Sequence, residues 1–308
     1  MLILSQHAGR SSDEGFIIVA ALWLLGALAT LAMIYSFYVK ETAAAFLDHN
    51  EKLQAEALAI SGVELAVYRL TEVPGRHPSL GKFSFRQGSA TVRTAFAAEN
   101  GRIDLNFAAK DLLAGLFAGL GADKREAQNF AERIVAWRSP LAASAVDTEA
   151  SIYQSAGKPY GPRHGPFQTV DEVELVTGLP VEFVNRALPY LTVYSGQAGI
   201  NLQSAPPAVL AALPGMTPDR LQTLIGSREN AGSTNAAQPQ GGAGAGNVAN
   251  QPSAANRVTV DVRFASGRRV RAQAIILLVD KDTEPYRVLH WRGEELSADA
   301  RDNDPALP

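Results

Sequence analysis

The chain of 308 residues contains no cysteine, three methionines and three tryptophans. Without thiols it forms no disulfide, no thiolate zinc site and no cysteine nucleophile. An oxidising compartment is compatible with that absence and is not required by it. Excess charge of one sign is missing too: 28 Lys and Arg stand against 31 Asp and Glu, a formal charge of -3. Such balance gives no general attraction to nucleic acid or anionic lipid. The five histidines, His7, His49, His77, His164 and His290, are scattered, none beside a second ligand at metal spacing or in a nucleophile motif. His49 falls on the exposed side of a helical segment and His164 in a Gly/Pro loop, so both read as surface or loop residues. Asp302 and Asp304 lack EF-hand spacing and read as parts of a solvated acidic tail. No catalytic constellation and no metal ligand set is legible, and the chain reads as a non-enzyme.

What is present begins at Phe16. Phe16 to Val39 is a run of 24 residues without charge, roughly 36 Å long as a helix and enough to cross a hydrocarbon core of about 30 Å. A secretory signal has a shorter apolar region and small residues after it, whereas Lys40 and Glu41 follow here and the helical pattern continues. Leu47, Leu58 and Leu65, with Ile60, Val63 and Val67, give an apolar stripe, and no proline occurs before Pro74. One long helix, half in lipid and half packed on a soluble domain, is the economical reading, ended by Pro74-Gly75. The 46% hydrophobic content is enough for one large or two modest domains beyond it.

Lys82 to Arg86 and Ala90 to Phe96, joined by Gln87-Gly88-Ser89, read as a hairpin. From Asp104 to about Tyr194 amphipathic helices dominate. Thr169 and Glu172 have capping-box spacing, and Thr217-Pro218 places a cap before a first-turn proline. An internal repeat at an offset of 97 aligns Ile103, Leu105, Ala108, Leu113, Ala114 and Leu116 with Ile200, Leu202, Ala205, Leu210, Ala211 and Leu213. Ile134 to Arg138 is echoed by Ile225 to Arg228, so each copy reads as an extended lead-in, a helix, a tight turn and a second helix. Asn230 to Asn256, almost wholly Gly, Ala, Asn, Gln, Ser and Pro, reads as a flexible loop. Val258 to Phe264 and Arg269 to Val279 around Ser266-Gly267 read as a second hairpin, Tyr286 to Trp291 as a third strand, and the end as an acidic tail.

Gly15-Phe16, where a polar leader meets the apolar helix, resembles the type IV prepilin signal, which implies cleavage after Gly15 and methylation of the amine of Phe16. The fifth residue of the processed chain is then Ala20, where most pilins and pseudopilins carry Glu. A carboxylate there costs on the order of 2 to 3 kcal/mol in lipid, so its absence removes a group that elsewhere neutralises a neighbour's amine. Asp13 and Glu14 offset Arg10 in the leader, leaving orientation to Arg10 and the initial amine. The missing acid, Ala21-Leu-Trp-Leu-Leu25, Ile134-Val-Ala-Trp-Arg138, Asp171-Glu172 through Tyr194 and Ile200-Asn201 through Leu213-Pro-Gly215 resemble the K pseudopilin family of type II secretion.

The resemblance implies an α+β fold. A pilin-like stem helix and antiparallel sheet carry a large inserted all-α domain with helix-hairpin-helix-like units. Its expected parts are a leader at 1–15, a stem at 16–70 spanning the membrane over 16–39, and the first part of the pilin-like domain at 71–103. The helical insert takes 104–229, the loop 230–256, the remaining strands 257–292 and the tail 293–308. It implies a minor pseudopilin at the tip of the pseudopilus, in the bacterial inner membrane with its bulk in the periplasm. The implied partners are the minor pseudopilins I, J and H and the prepilin peptidase. Calcium enters only through the resemblance, with no ligand assigned. Two further readings stay open from the residues. An uncleaved signal anchor on a periplasmic enzyme is one, and a membrane-anchored DNA receptor using the hairpin near Gly215 is the other. Ile200 to Asn230 holds only Arg220 and Arg228 against Asp219 and Glu229, which argues against phosphate binding.

Overall fold

The computed structural model describes residues 13–72, 78–141, 146–231, 247–249, 253–279 and 284–296. The chain divides into two units at Ala57 and Leu58. The first holds most of α1 (Asp13–Thr71), whose uncharged run from Phe16 has no proline to interrupt it and whose segment Phe16–Thr42 is long and apolar enough to cross a membrane.

In the second unit, the end of α1 buries Leu58, Ala59, Val63, Ala66, Val67 and Leu70, residues three and four apart on one face. Of the expected stripe, Leu58, Val63 and Val67 are buried, Leu65 is half-buried and Ile60 is exposed. The side chains of Leu47 and His49 lie outside the described residues.

Both hairpins form. β1 (Leu80–Gln87) and β2 (Ala90–Ala98) are antiparallel, turned at Gly88, whose φ of 58° suits glycine. β5 (Ala255–Arg263), β6 (Arg269–Leu278) and β7 (Tyr286–Leu296) complete a five-stranded antiparallel sheet in the order β1-β2-β5-β6-β7. Thr94 faces Val260 and Val260 faces Ala272, and the alternate residues Val92, Phe96, Val258, Val262 and Ala274 are buried with them. The close approach falls at Gly62 of α1. A Cβ there would stand 2.7 Å from Val260 Cγ1 and 2.9 Å from Thr94 Oγ1, so only glycine lets the helix lie this near the sheet.

β2 and β5 are neighbours, and the chain between them is largely helical. β3 (Ile103–Asp104) pairs in parallel with β4 (Leu191–Thr192), and between them lie α2 (Lys110–Gly119), α3 (Lys124–Arg138), α4 (Thr148–Ser155) and α5 (Val181–Ala187). α6 (Pro207–Ala211) and α7 (Pro218–Ala231) follow. The repeat read from the sequence takes shape here: α2–α3 and α6–α7 are helical hairpins turned at Gly121 and Gly215, both with positive φ. Ile103, Leu105, Ala108, Leu113 and Leu116 are buried, and so are Ile200, Ala205, Leu210 and Leu213. The hairpins meet at Gly115, where a Cβ would overlap the carbonyl oxygen of Ala212.

Two local expectations are corrected. Thr169 and Glu172 form no capping box: Val170–Leu175 is a 3-10 helix without a side-chain cap, and Glu172 pairs with Arg163 at 2.8 Å instead. A capping box does occur at α3, where Asp123 Oδ1 accepts from the amides of Arg125 and Glu126, and Glu126 Oε2 accepts from the amide of Asp123. Of the expected loop at 230–256, residues 232–246 and 250–252 lie outside the described residues. Asn247–Ala249 instead pairs with Ile200 through Ile200 N to Asn247 O and Ala249 N to Ile200 O, each 2.9 Å, and β5 begins at Ala255.

The Gly62 seam yields a stability prediction. Gly62→Val is expected to cost about 1–3 kcal/mol in guanidinium unfolding of the detergent-solubilised chain. Gly226→Ala, in α7 with nothing within 4 Å of the added Cβ, is expected to be neutral or stabilising by up to about 1 kcal/mol. Equal effects at the two positions would contradict the close-packing account.

Candidate functional site

Three surfaces hold the candidate functional residues. On the apolar segment of α1, Phe16 is 76% exposed, and Trp23, Leu24, Tyr35 and Tyr38 are exposed with it. Ala20 follows Phe16 by four residues, one helical turn, and is exposed on the same face. Gly15 lies in the helical backbone, and residues 1–12 of the leader are outside the described residues. An unbroken apolar surface of this kind is satisfied by lipid or by other apolar helices.

The second surface is where the helical region leaves and rejoins the sheet. Ala98 pairs with Asn256, so the chain departs and returns on neighbouring strands. Immediately beyond, Glu99 is fully buried, and Arg257 Nε donates to its Oε1 at 2.6 Å. Arg102 Nη1 lies 3.9 Å from the same oxygen, while its Nε donates to Pro189 O at 3.0 Å. Burial alone would raise the Glu99 carboxyl, but the Arg257 and Arg102 charges and the side-chain hydrogen bonds outweigh it and hold it below the usual carboxylate value. Arg102 moves the other way, lowered to about 10 by burial first and by the Arg257 charge second.

The third surface is the pair of helical hairpins. Arg138 of α3 donates to the carbonyl oxygens of Leu105 and Ala108, and Arg228 of α7 donates to Ala205 O at 2.7 Å. Ala108 and Ala205 are equivalent in the repeat, so in each copy an arginine of the second helix fastens the lead-in of the first. Asp104 ties the first copy to the chain after β4. Its Oδ2 accepts from Ser195 Oγ and Gly196 N, both at 2.9 Å, while burial raises its carboxyl. Arg220 Nη1 donates to Gly215 O at 3.1 Å, closing the second hairpin.

His164 does more than the loop role expected of it. At a φ of 52°, it directs Nε2 to Asp147 Oδ2 at 2.8 Å and Nδ1 to Ser139 O at 3.2 Å. Both partners are acceptors, so only the imidazolium donates to both. Asp147 raises the imidazole first, burial opposes, and the Ser139 carbonyl and the Asp147 and Glu149 charges add to the rise. Asp147 itself is lowered, first by the amide of Ala150 and then by His164.

His290 lines the cleft beside Arg102 and Arg257, and His7, His77, Asp302 and Asp304 lie outside the described residues. Among the described residues no three His, Cys, Asp or Glu are grouped to hold a metal. Sequence reasoning missed Glu99, Arg102 and Arg257. Glu99 following an apolar strand is the one local signal, since its partner is 158 residues away.

Residues 94–196 match the family model described as Type II secretion system (T2SS), protein K. The chain is also similar in structure to a chain of the GspK-GspI-GspJ complex from the type 2 secretion system of enterotoxigenic Escherichia coli. The TM-score is 0.55 at 15% identity, over 81% of this chain and 99% of that one. No curated protein matches.

Two outcomes follow from the charges. Glu99→Gln leaves two buried guanidinium groups without their carboxylate and is expected to cost about 3–5 kcal/mol in denaturant unfolding; wild-type stability would show that the pair is dispensable. The His164–Asp147 contact has a pH window. The raised histidine contributes stability that is complete below its unfolded value of 6.5 and lost as pH rises through the folded value. The lowered aspartate contributes above 3.8, and its part is lost as pH falls through the folded value. The melting-temperature difference between wild type and His164→Asn, a residue that also tolerates positive φ, is thus expected to be largest between about pH 4 and 6.5 and to shrink in alkali. A pH-independent difference would contradict the imidazolium assignment.

Proposed function

We propose that the chain is a minor pseudopilin of the protein K family of the type II secretion system, whose model matches residues 94–196, and that it caps and nucleates the tip of the pseudopilus, supporting protein export across the outer membrane. The observation that carries this reading is the helical region lodged between two adjacent strands of a pilin-like sheet. Its work is mechanical. The prepilin peptidase cuts between Gly15 and Phe16 and methylates the new amine. The exposed apolar helix from Phe16 anchors in the inner membrane and packs against partner stems, with the remaining chain in the periplasm. Ala20 gives no carboxylate to pair with a neighbour's amine, and the bulk of the inserted helices hinders stacking of a further subunit. Both properties favour a terminal place. The minor pseudopilins I and J are direct partners, a reading supported by the composition of the complex containing the similar chain, and H lies below them.

The competing DNA-receptor reading loses ground in the helical hairpin. Arg220 and Arg228 are both turned to carbonyl oxygens of their own hairpin rather than held out toward a phosphate.

Processing is tested by the N-terminal mass of the membrane-extracted chain expressed with its peptidase. The expected product begins at methylated Phe16, and Gly15→Leu is expected to leave the precursor uncut. A mature Gly15→Leu product, or a wild-type chain beginning at Met1, would return the protein to the signal-anchored class. Ala20→Glu is expected to insert normally and to let the subunit enter filaments internally. Unchanged terminal placement would assign position to the helical insert instead of the missing acid.

A further inference from the structure

A cleft of about 240 Å³ opens between the helical region and the sheet, lined by Arg102, Tyr194, Arg257, Gln273, His290 and Arg292 among others. Its charge is not balanced from within. Arg102 and Arg257 share the buried carboxylate of Glu99, and Arg292 Nη2 reaches Asp171 Oδ2 at 3.1 Å. Three guanidinium groups therefore face two carboxylates, and one positive charge remains in a site whose inner arginine side chains are only 10% and 12% exposed. Arg102 spends Nε on Pro189 O and has no hydrogen-bond acceptor at Nη1 or Nη2 among the described residues. Arg257 spends Nε on Glu99 and Nη1 on Gln273 Oε1 at 3.3 Å, leaving Nη2. Arg102 and Arg257 both line the open cleft. The donors thus point to a ligand able to enter, not to a closed structural network.

We propose that this cleft binds a carboxylate, held between the guanidinium groups of Arg102, Arg257 and Arg292. A guanidinium presents its N–H groups in a planar fork that a carboxylate matches with two hydrogen bonds. A single unbalanced positive charge is neutralised by one such group, whereas a phosphate dianion would leave the site with net negative charge. The volume admits an acidic side chain as readily as a free acid. The ligand is therefore either a small carboxylate or a Glu or Asp of the neighbouring pseudopilins, and the second source rests on the partners proposed above.

The test uses the full processed chain in detergent, with acetate as probe and acetamide and sodium chloride at matched concentration and ionic strength as controls. Acetate at about ten times its dissociation constant is expected to raise the melting temperature by about 2–4 °C in a saturable manner. Acetamide is expected to have no such effect. Arg292→Gln, at the open wall of the cleft, is expected to weaken acetate about tenfold, and Arg102→Gln at least as much. A rise matched by sodium chloride, or one unchanged in Arg292→Gln, would overturn the proposal even if Arg102→Gln fails to fold. Where acetate binds, assembly with purified I and J separates the sources. Acetate-dependent weakening of assembly, abolished in Arg292→Gln, identifies a protein-borne carboxylate, and undisturbed assembly identifies a free one.

Discussion

The structure depends on one pairing, β2 against β5, with Glu99, just past the end of β2, fastened to Arg257 of β5. Strands that are neighbours in the sheet are separated in sequence by the whole helical region, so the region's two ends are held one strand apart. The buried ion pair sits at that closure, where an uncompensated charge of either sign would be costly. The helical region accordingly has its own core, its own closing β3–β4 bridge and its own arginine fasteners, and meets the sheet along a cleft rather than through a shared strand.

Helix packing on the sheet follows a different logic. Glycine at position 62 and alanines at 59 and 66 admit a close approach that longer side chains would prevent, and Val260 and Thr94 fill the space so created. The apolar segment before Thr42 obeys the opposite rule, with its large side chains displayed. One continuous helix therefore carries two chemistries, one suited to lipid and other apolar helices and one to the sheet.

Much of this was legible in the sequence where the signal is local. The uncharged run from Phe16, both hairpins and the turn glycines Gly88 and Gly267 depend on neighbouring residues only. The repeat was legible as well, because buried positions such as Ile103 and Ile200 recur within equivalent helical hairpins. Cap chemistry was legible in kind but misplaced: Thr169–Glu172 has the spacing, yet Glu172 is drawn to Arg163, while Asp123–Glu126 forms the box. Glu99 with Arg257, the β3–β4 bridge and the Asn247–Ala249 pairing with Ile200 join distant residues, and no local pattern announces them. Gly62 was passed over because a glycine within a helix has no side chain to mark its face.

The central claim, a subunit that occupies only the end of the filament, is tested most directly by electron microscopy of pseudopili assembled in cells with an epitope placed in residues 232–246 of this chain. The account predicts label at one end of each filament and nowhere else. Label along the filament length would contradict it.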